Sequence, residues 1–366
     1  MNEAYSKALS MVRILVGAAP TAERLDETVS SVVDIISKLY PEAVIDRELL
    51  MRELEAMLNV FQEDSATLVN DEGHLPWLDA RVREIDWAFW QRYLRFQEEV
   101  KGLPPVVLDR LDSSTQRVLG HLEDPERPGP WDRRGLVVGQ VQSGKTGNYT
   151  ALACKAADAG YRFIVVLAGM HKSLRSQTQL RLDEGLLGFN TTRKRYSVGE
   201  GGSAEPEMAI GVGALLGAPS PFSVSLTTNA DDGDFRKQSA QAVPFNLQAD
   251  LQGPVLLVIK KNVSILRNLR EWLNDVLASG DPRRVREHAL LMIDDEADNA
   301  SINTRNILDA SGAFDPDYDP TRINKEIRLL LNAFEKRAYV GYTATPFANL
   351  YIERREQAEL GKDLFP

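Results

Sequence analysis

Residues 139–146 have the spacing of a phosphate-binding loop, G-x-x-x-x-G-K-T. Its two glycines would let backbone N–H groups approach phosphate oxygens without a Cβ in the way, and a helix beginning near Lys145 would add the positive end of its dipole. Lys145 would reach the terminal phosphates and the Thr146 hydroxyl would bind Mg²⁺. The predicted nucleotide-binding residues are Gly139, Gln142, Ser143, Gly144, Lys145, Thr146 and Gly147. The alternative is an ordinary glycine-containing turn.

A second group of candidate catalytic side chains follows the apolar run 290–293, where the sequence continues Asp294-Asp295-Glu296-Ala297-Asp298. In a nucleotide-hydrolysing sheet, one carboxylate at a strand end holds Mg²⁺ and the next accepts a proton from the attacking water. We assign Asp295 to the metal and Glu296 to the base. Asp294 is an additional acid and leaves this register open by one residue. A solvated strand end is the alternative interpretation.

Two hydroxyl side chains follow a third apolar run, in Tyr342-Thr343-Ala344-Thr345. We expect Thr343 and Thr345 to hydrogen-bond the Asp298 carboxylate and to couple the state of the site to the rest of the molecule. A threonine pair at a strand end is by itself more often the start of a loop, so the prediction depends on the order and spacing of all three segments.

The elements around these residues alternate in type. Short apolar runs predict strands at 136–138, 163–167, 255–259, 289–293 and 338–342, and helical periodicity predicts helices after Thr146, at 171–182, 263–277 and 323–334. Gly160 can end the first of these helices. Strands that alternate with helices predict an α/β fold with a parallel sheet covered on both faces.

The region before the phosphate-binding loop has a different pattern. Residues 1–110 are predicted to form a helical N-terminal module, with Thr21 as a helix cap and an aromatic-rich helix around residues 87–96. Residues 111–134 are interpreted as a linker with a short helix capped at 112–115. The α/β lobe is predicted over 135–366, with a loop-rich insertion at about 185–253 in which we expect weak order.

Composition limits the possible functions. The chain has 366 residues, 26% of them charged, and a net charge of −10, of which residues 1–110 contribute −8. A globally basic surface for nucleic acid is therefore absent, although a local basic groove is compatible with this balance. The single cysteine excludes a disulfide framework. We find neither a signal peptide nor a membrane-spanning run, so no membrane association is expected and a reducing cytoplasm is the simplest setting.

The three segments together resemble motifs I, II and III of superfamily-two helicases and translocases, and residues 168–177 resemble their motif Ia. The fuller strings GLVVGQVQSGKTGNY, IDDEADNASINT and GYTATPFAN resemble the Z-one domain family more closely. That family is a bacterial branch of helicase-like ATPases associated with restriction-type antiviral systems. The resemblance covers roughly residues 110–366.

The resemblance implies a RecA-like lobe that binds ATP and Mg²⁺ and contacts DNA. Five residues would face a phosphate backbone, with solvated surface cations as the alternative: Lys172, Ser173, Arg175, Lys260 and Lys261. Protein partners of the nuclease, methyltransferase or GHKL-type ATPase classes are also implied. The chain ends at Pro366, soon after the third motif, so we expect a second lobe in a longer protein. Without it, we expect residues 1–366 to bind ATP weakly and to hydrolyse it slowly.

Three functions remain open at this stage. The first is a DNA-dependent ATPase lobe of a translocase. The second is an ATP-gated assembly switch, which recruits a partner through the acidic helical module without moving along DNA. The third is a nuclease, but we find no separate carboxylate cluster in the sequence that favours it.

Overall fold

The structure is a computed structural model. It describes residues 22–41, 67–68, 73–138, 144–193, 208–218, 220–241, 252–279, 283–298 and 320–343, with single positions between 7 and 15, between 45 and 50, and at 364. Seven strands in these ranges form one sheet: β1 (Thr67–Leu68), β2 (Trp131–Val138), β3 (Phe163–Ala168), β4 (Val224–Ser225), β5 (Val255–Lys260), β6 (Val285–Asp295) and β7 (Phe334–Thr343).

The strand order brings the three predicted motifs to one edge. The order is β1-β2-β7-β6-β3-β5-β4, and every neighbouring pair is parallel except the two-residue edge strand β1. β7 therefore lies between β2, which leads into the phosphate-binding loop, and β6, which leads into the acids. Two inter-strand spacings amount to roughly 10 Å, so the carboxyl ends of β2 and β6 can face one bound molecule.

Helices cover both faces of the sheet. The helices in the described ranges are α1 (Ala22–Leu39), α2 (Leu78–Arg81), α3 (Ala88–Glu99), α4 (Pro105–His121), α5 (Lys145–Ala159), α6 (Lys172–Leu182), α7 (Lys237–Gln241), α8 (Val263–Val276) and α9 (Pro320–Asn332). A π-helical turn, Asp183–Leu187, continues α6. This is the α/β architecture of a single RecA-like lobe, and it confirms the predicted fold class.

The apolar residues of the strands divide between two cores because successive side chains point to opposite faces. Ile164 and Val166 of β3 pack with α3, α4 and α5, whereas Phe163, Val165 and Leu167 pack with α8 and α9. Both β3 and β5 are buried along their whole length. Burial on both sides explains why these strands are continuous apolar runs in the sequence and do not alternate with polar residues.

The helical region before β2 shares the first of these cores. Aromatic residues of α3 are buried in the same cluster as α5 and one face of the sheet. The Asp158 carboxylate, at the end of α5, accepts hydrogen bonds from the backbone N–H groups of Phe89 (2.9 Å) and Trp90 (2.8 Å) at the start of α3. The Tyr93 hydroxyl donates to the Gly147 carbonyl (3.1 Å). Helix α3 is thus bonded to α5 near both ends of α5.

Most of the predicted elements are confirmed within one to four residues, including the end of α5 at Gly160, whose φ is 112°. The predicted cap at 112–115 is wrong, because the helix begins at Pro105, where proline at the first position favours initiation. The Ser113, Ser114 and Thr115 hydroxyls instead donate to carbonyls of the preceding turn. The region before β2 is also not entirely helical, since β1 pairs with β2.

Other predictions fall on residues outside the described ranges, namely Thr21, residues 51–61 of the predicted helical module, and parts of the insertion at 194–207 and 242–251. In the rest of the insertion, the structure has a 3₁₀ turn at Gly211–Ala214 and the short elements β4 and α7. Among the described helices, none combines the length and the apolar character that crossing a bilayer requires.

Substitution of Gly185 tests the close packing between α3, α5 and the π-helical turn. A Cβ at this position would lie 2.7 Å from Thr150 Cγ2 and 2.8 Å from Tyr93 Cε2, both closer than carbon atoms pack. We expect Gly185→Ala to lower the free energy of unfolding by about 1–3 kcal/mol, measured by urea denaturation. Gly135→Ala is the control, since a Cβ there meets nothing within 4 Å. Equal stability of the two variants would contradict the packing described here.

Candidate functional site

Helix α5 begins at the predicted phosphate-binding loop. Gly144 caps the helix with φ = 62° and ψ = 25°, a left-handed conformation that glycine adopts without a steric penalty. Lys145 and Thr146 are therefore the first two helical residues, where backbone N–H groups lack intrahelical partners and the helix dipole favours an anion. The other loop residues predicted to bind nucleotide, Gly139, Gln142 and Ser143, lie outside the described ranges.

A cavity of about 480 Å³ lies over this helix start. Its size is within the range of small-molecule sites. The cavity is lined by residues from α3, α5, the end of α6 and the end of β6: Tyr93, Phe96, Gln97, Lys101, Gly144, Lys145, Thr146, Gly147, Thr150, Arg181, Glu184, Gly185, Asp295 and Glu296. Two of the three predicted motifs therefore contribute directly to one cavity.

The pleat of β6 separates Asp294 from Asp295. Ile293 and Asp295 point to the face that carries α5, and Tyr149 of α5 donates a long hydrogen bond to Asp295 Oδ2 (3.4 Å). Asp294 points to the opposite face, where Tyr339 donates to Asp294 Oδ2 (2.6 Å). Asp295 and Glu296 line the cavity and Asp294 does not. This placement favours the register that we assigned, whereas the roles of Asp295 and Glu296 stay predictions.

A buried ion pair fixes the end of β6. Lys261 Nζ lies 2.6 Å from Asp294 Oδ1, and both side chains are completely buried. The same ammonium group donates to the backbone carbonyl of Glu296 (2.7 Å). A buried ion pair is tolerated more readily when its partners form additional hydrogen bonds. Here Tyr339 bonds the other oxygen of Asp294, and the Glu296 carbonyl accepts a bond from Lys261. Lys261 consequently sets the backbone position of the predicted catalytic base.

Glu296 has an unusual backbone conformation. Its φ is 54°, and it is the one non-glycine residue with positive φ in the described part of the chain. Its N–H bonds Asp295 Oδ1 (3.1 Å). A Cβ added to Gly169 would lie 3.6 Å from Glu296 Oε2, so the carboxylate reaches the turn between β3 and α6. A left-handed non-glycine residue costs roughly 1–3 kcal/mol and is concentrated at functional sites.

The charges around Asp295 act in opposite directions. Burial raises the pKa of the Asp295 carboxyl, and the neighbouring Glu296 and Asp294 add to that effect, whereas Lys145 and Lys261 lower it. Lys145 is therefore electrostatically coupled to Asp295, although the two residues are 150 positions apart. A cation that binds Asp295 would favour the ionised carboxylate in the same way.

The predicted coupling residues are only partly described. Thr343 is fully buried at the end of β7, where its Cα is paired with Val138 of β2. Asp298 is partly exposed, and Thr345 lies outside the described ranges. The hydrogen bonds that we predicted between Asp298 and the threonines stay a prediction.

Three of the five residues predicted to face nucleic acid are buried, so the prediction is wrong for them. Lys261 is in the buried ion pair. Arg175 is fully buried and donates to the carbonyls of Thr228 (2.8 Å) and Ala230, so it holds the turn after β4. Lys260 is only 8% exposed and lies near the Asp234 carboxylate. Lys172 and Ser173, at the start of α6, are exposed as predicted.

The structure also adds residues that sequence reasoning did not identify. Tyr93, Phe96, Gln97 and Lys101 bring α3 into the cavity wall. Arg181 Nη1 donates to the Thr146 hydroxyl (3.0 Å). The periodicity of α3 predicts a helix but does not indicate which element it packs against. Nothing in the sequence around Arg181 distinguishes it from a surface arginine.

Comparison of the chain with protein-family models finds no match, and comparison with curated proteins finds no significant relative. The resemblance to the Z-one domain family therefore stays a prediction from the quoted sequence strings.

The left-handed conformation of Glu296 predicts that a glycine variant is more stable than an alanine variant at this position, the reverse of the order in a helix. A left-handed backbone costs a residue with a Cβ about 1–2 kcal/mol, so we expect Glu296→Gly to be more stable to urea than Glu296→Ala by about 1 kcal/mol. At Arg117, exposed in the middle of α4, alanine should instead exceed glycine by about 1 kcal/mol. The same order at both positions would show that residue 296 does not have this conformation.

Proposed function

We propose that this protein binds a nucleoside triphosphate, ATP, in the described cavity and hydrolyses it. The observation that carries the proposal is the convergence of Lys145 and Thr146, at the start of α5, with Asp295 and Glu296, at the end of β6, on one cavity of about 480 Å³. A cationic helix start opposite two carboxylates suits a polyphosphate and its metal ion. The helix start can bind the phosphates, and the carboxylates can bind the metal.

Each side chain has a distinct role in this proposal. The backbone N–H groups and Lys145 bind the phosphates and offset charge that develops on their oxygens during transfer. Glu296 orients the attacking water and accepts its proton. Its backbone is fixed by the bond from Lys261 Nζ to its carbonyl oxygen, 2.7 Å long, so the carboxylate is positioned before the substrate arrives.

Mg²⁺ fits the donors at this site. The Thr146 hydroxyl and the Asp295 carboxylate are oxygen ligands of the kind that Mg²⁺ selects, and both line the cavity. When bound there, Mg²⁺ would neutralise charge on the phosphates. The raised pKa of Asp295 indicates that, without a cation, the carboxylate is held in an unfavourable environment.

Dependence on nucleic acid is the second part of the proposal. Lys172 and Ser173 are exposed at the start of α6, and α6 ends at the cavity with Arg181. An exposed lysine and serine at a helix start can bind a backbone phosphate. A role in a restriction-type antiviral system, with nuclease, methyltransferase or GHKL-type ATPase partners, rests on the family resemblance alone.

One observation favours the alternative, an ATP-gated assembly switch. Helix α3 belongs to the region before β2, yet four of its residues or near neighbours line the cavity. A bound nucleotide would therefore contact α3 directly and could change how the preceding region presents itself to a partner. The burial of Arg175 and Lys261 also reduces the cationic surface available for DNA.

Two substitutions separate binding from chemistry. We expect Lys145→Ala to weaken ATP binding at least tenfold, because it removes a charged contact to the phosphates. Glu296→Gln should leave the affinity within about threefold but slow single-turnover hydrolysis by roughly 10²–10⁴-fold, the usual contribution of a general base. Binding is measured by calorimetry and hydrolysis by phosphate release, with Arg117→Ala as the control. Wild-type affinity and turnover in both variants would refute the assignment.

Salt-dependent DNA binding separates the translocase lobe from the switch. With a non-hydrolysable ATP analogue and Mg²⁺, we expect a labelled DNA oligonucleotide to bind with an affinity that falls between about 50 and 200 mM salt. Lys172→Ala should weaken this binding and reduce the salt slope by about one unit. If anisotropy shows no DNA binding at low salt, the switch is the better description.

A further inference from the structure

Arg181 lines the candidate site, but none of the roles proposed above is assigned to it. Arg181 is the last residue but one of α6. It is exposed and lines the same cavity as Lys145. Its Nη1 donates to the Thr146 hydroxyl at 3.0 Å. A guanidinium group has five N–H donors, and one bond to a neutral hydroxyl leaves most of this capacity unused.

Several other arginines of the described chain are paired with acids. Arg95 is paired with Glu99 at 2.6 Å, Arg127 with Glu123 at 2.6 Å, and Arg337 with Asp132 at 2.9 Å. Within the described ranges, Arg181 lies within 4 Å of no carboxylate oxygen and instead points toward the start of α5. No acid of the described chain therefore forms an ion pair with Arg181, although Glu184, Asp295 and Glu296 line the same cavity.

Three positive groups converge at this point, namely Arg181, Lys145 and the positive end of the α5 dipole. Like charges that lie together on one wall repel one another, and the arrangement becomes favourable when a multiply charged anion lies between them. Planar guanidinium groups bind phosphate through two parallel hydrogen bonds. The terminal phosphate of a nucleoside triphosphate has both the charge and the oxygen geometry required.

We propose that Arg181 binds the terminal phosphate of the nucleotide, exchanging its hydrogen bond to Thr146 for bonds to phosphate oxygens. This inference rests on the proposed nucleotide site and deepens it, because it makes the site selective for triphosphate over diphosphate. It also gives α6 a function. The helix has 11 residues and so spans about 16 Å, with the exposed Lys172 at one end and Arg181 at the other.

The test compares a triphosphate with a diphosphate. Affinities of a non-hydrolysable ATP analogue and of ADP are measured by calorimetry, each with Mg²⁺ and with EDTA, for wild type, Arg181→Ala, Arg181→Lys and Arg117→Ala. We expect Arg181→Ala to weaken the triphosphate analogue at least tenfold and ADP less than threefold, with and without Mg²⁺. Arg181→Lys should fall between Arg181→Ala and wild type, since a point charge replaces the bidentate group. Arg117→Ala should match wild type.

Other outcomes have distinct meanings. An equal loss of both affinities in Arg181→Ala would overturn the inference and assign Arg181 to holding Thr146 in place. Unchanged affinities in Arg181→Ala would overturn it as well. If the wild-type protein binds neither nucleotide, the proposed function fails together with the inference. If the wild-type protein binds both and Arg181→Ala binds them equally well, only the inference fails. Because Arg181→Lys keeps the positive charge on a side chain of similar length, it provides the comparison if Arg181→Ala does not fold.

Discussion

The buried ion pair between Lys261 and Asp294, 2.6 Å long and completely shielded from water, is the interaction on which the candidate site depends. It joins the residue after β5 to the end of β6, and the same ammonium group bonds the Glu296 carbonyl. Without its partner, either buried charge would be costly, so removing one of them destabilises the fold strongly. The pair therefore does more than stabilise. Through the bond to the Glu296 carbonyl, it also contributes to holding the backbone of this left-handed residue in place.

The sheet converts this local constraint into a site. Because β7 separates β2 from β6, the helix start after β2 and the acids after β6 face each other across one strand. Helix α3 closes the cavity on a third side, fixed by the Asp158 carboxylate and by the Tyr93 hydroxyl. A ligand bound between these elements would contact the N-terminal helices and the sheet at once. If a nucleotide binds here as proposed, its binding would be felt by both α3 and the sheet.

The sequence predicted the parts of the structure that local patterns determine. Apolar runs located β3, β5 and β6, helical periodicity located α6 and α8, and the glycine-lysine-threonine string located the start of α5. The exposure of individual cations could not be predicted in this way. Lys261 and Arg175 are buried because partners far away in the chain, Asp294 and the turn at 228–233, fold against them. The same limit applies to Arg181 and to α3, whose roles depend on packing between distant segments.

The most direct measurement of the central claim is a crystal structure of the protein with a non-hydrolysable ATP analogue and Mg²⁺. We predict that the phosphates lie against the N-terminus of α5, with Lys145 on one side and with Asp295 and Glu296 on the other. An analogue bound elsewhere, or phosphates that contact Lys145 while Asp295 and Glu296 remain distant from them, would contradict it.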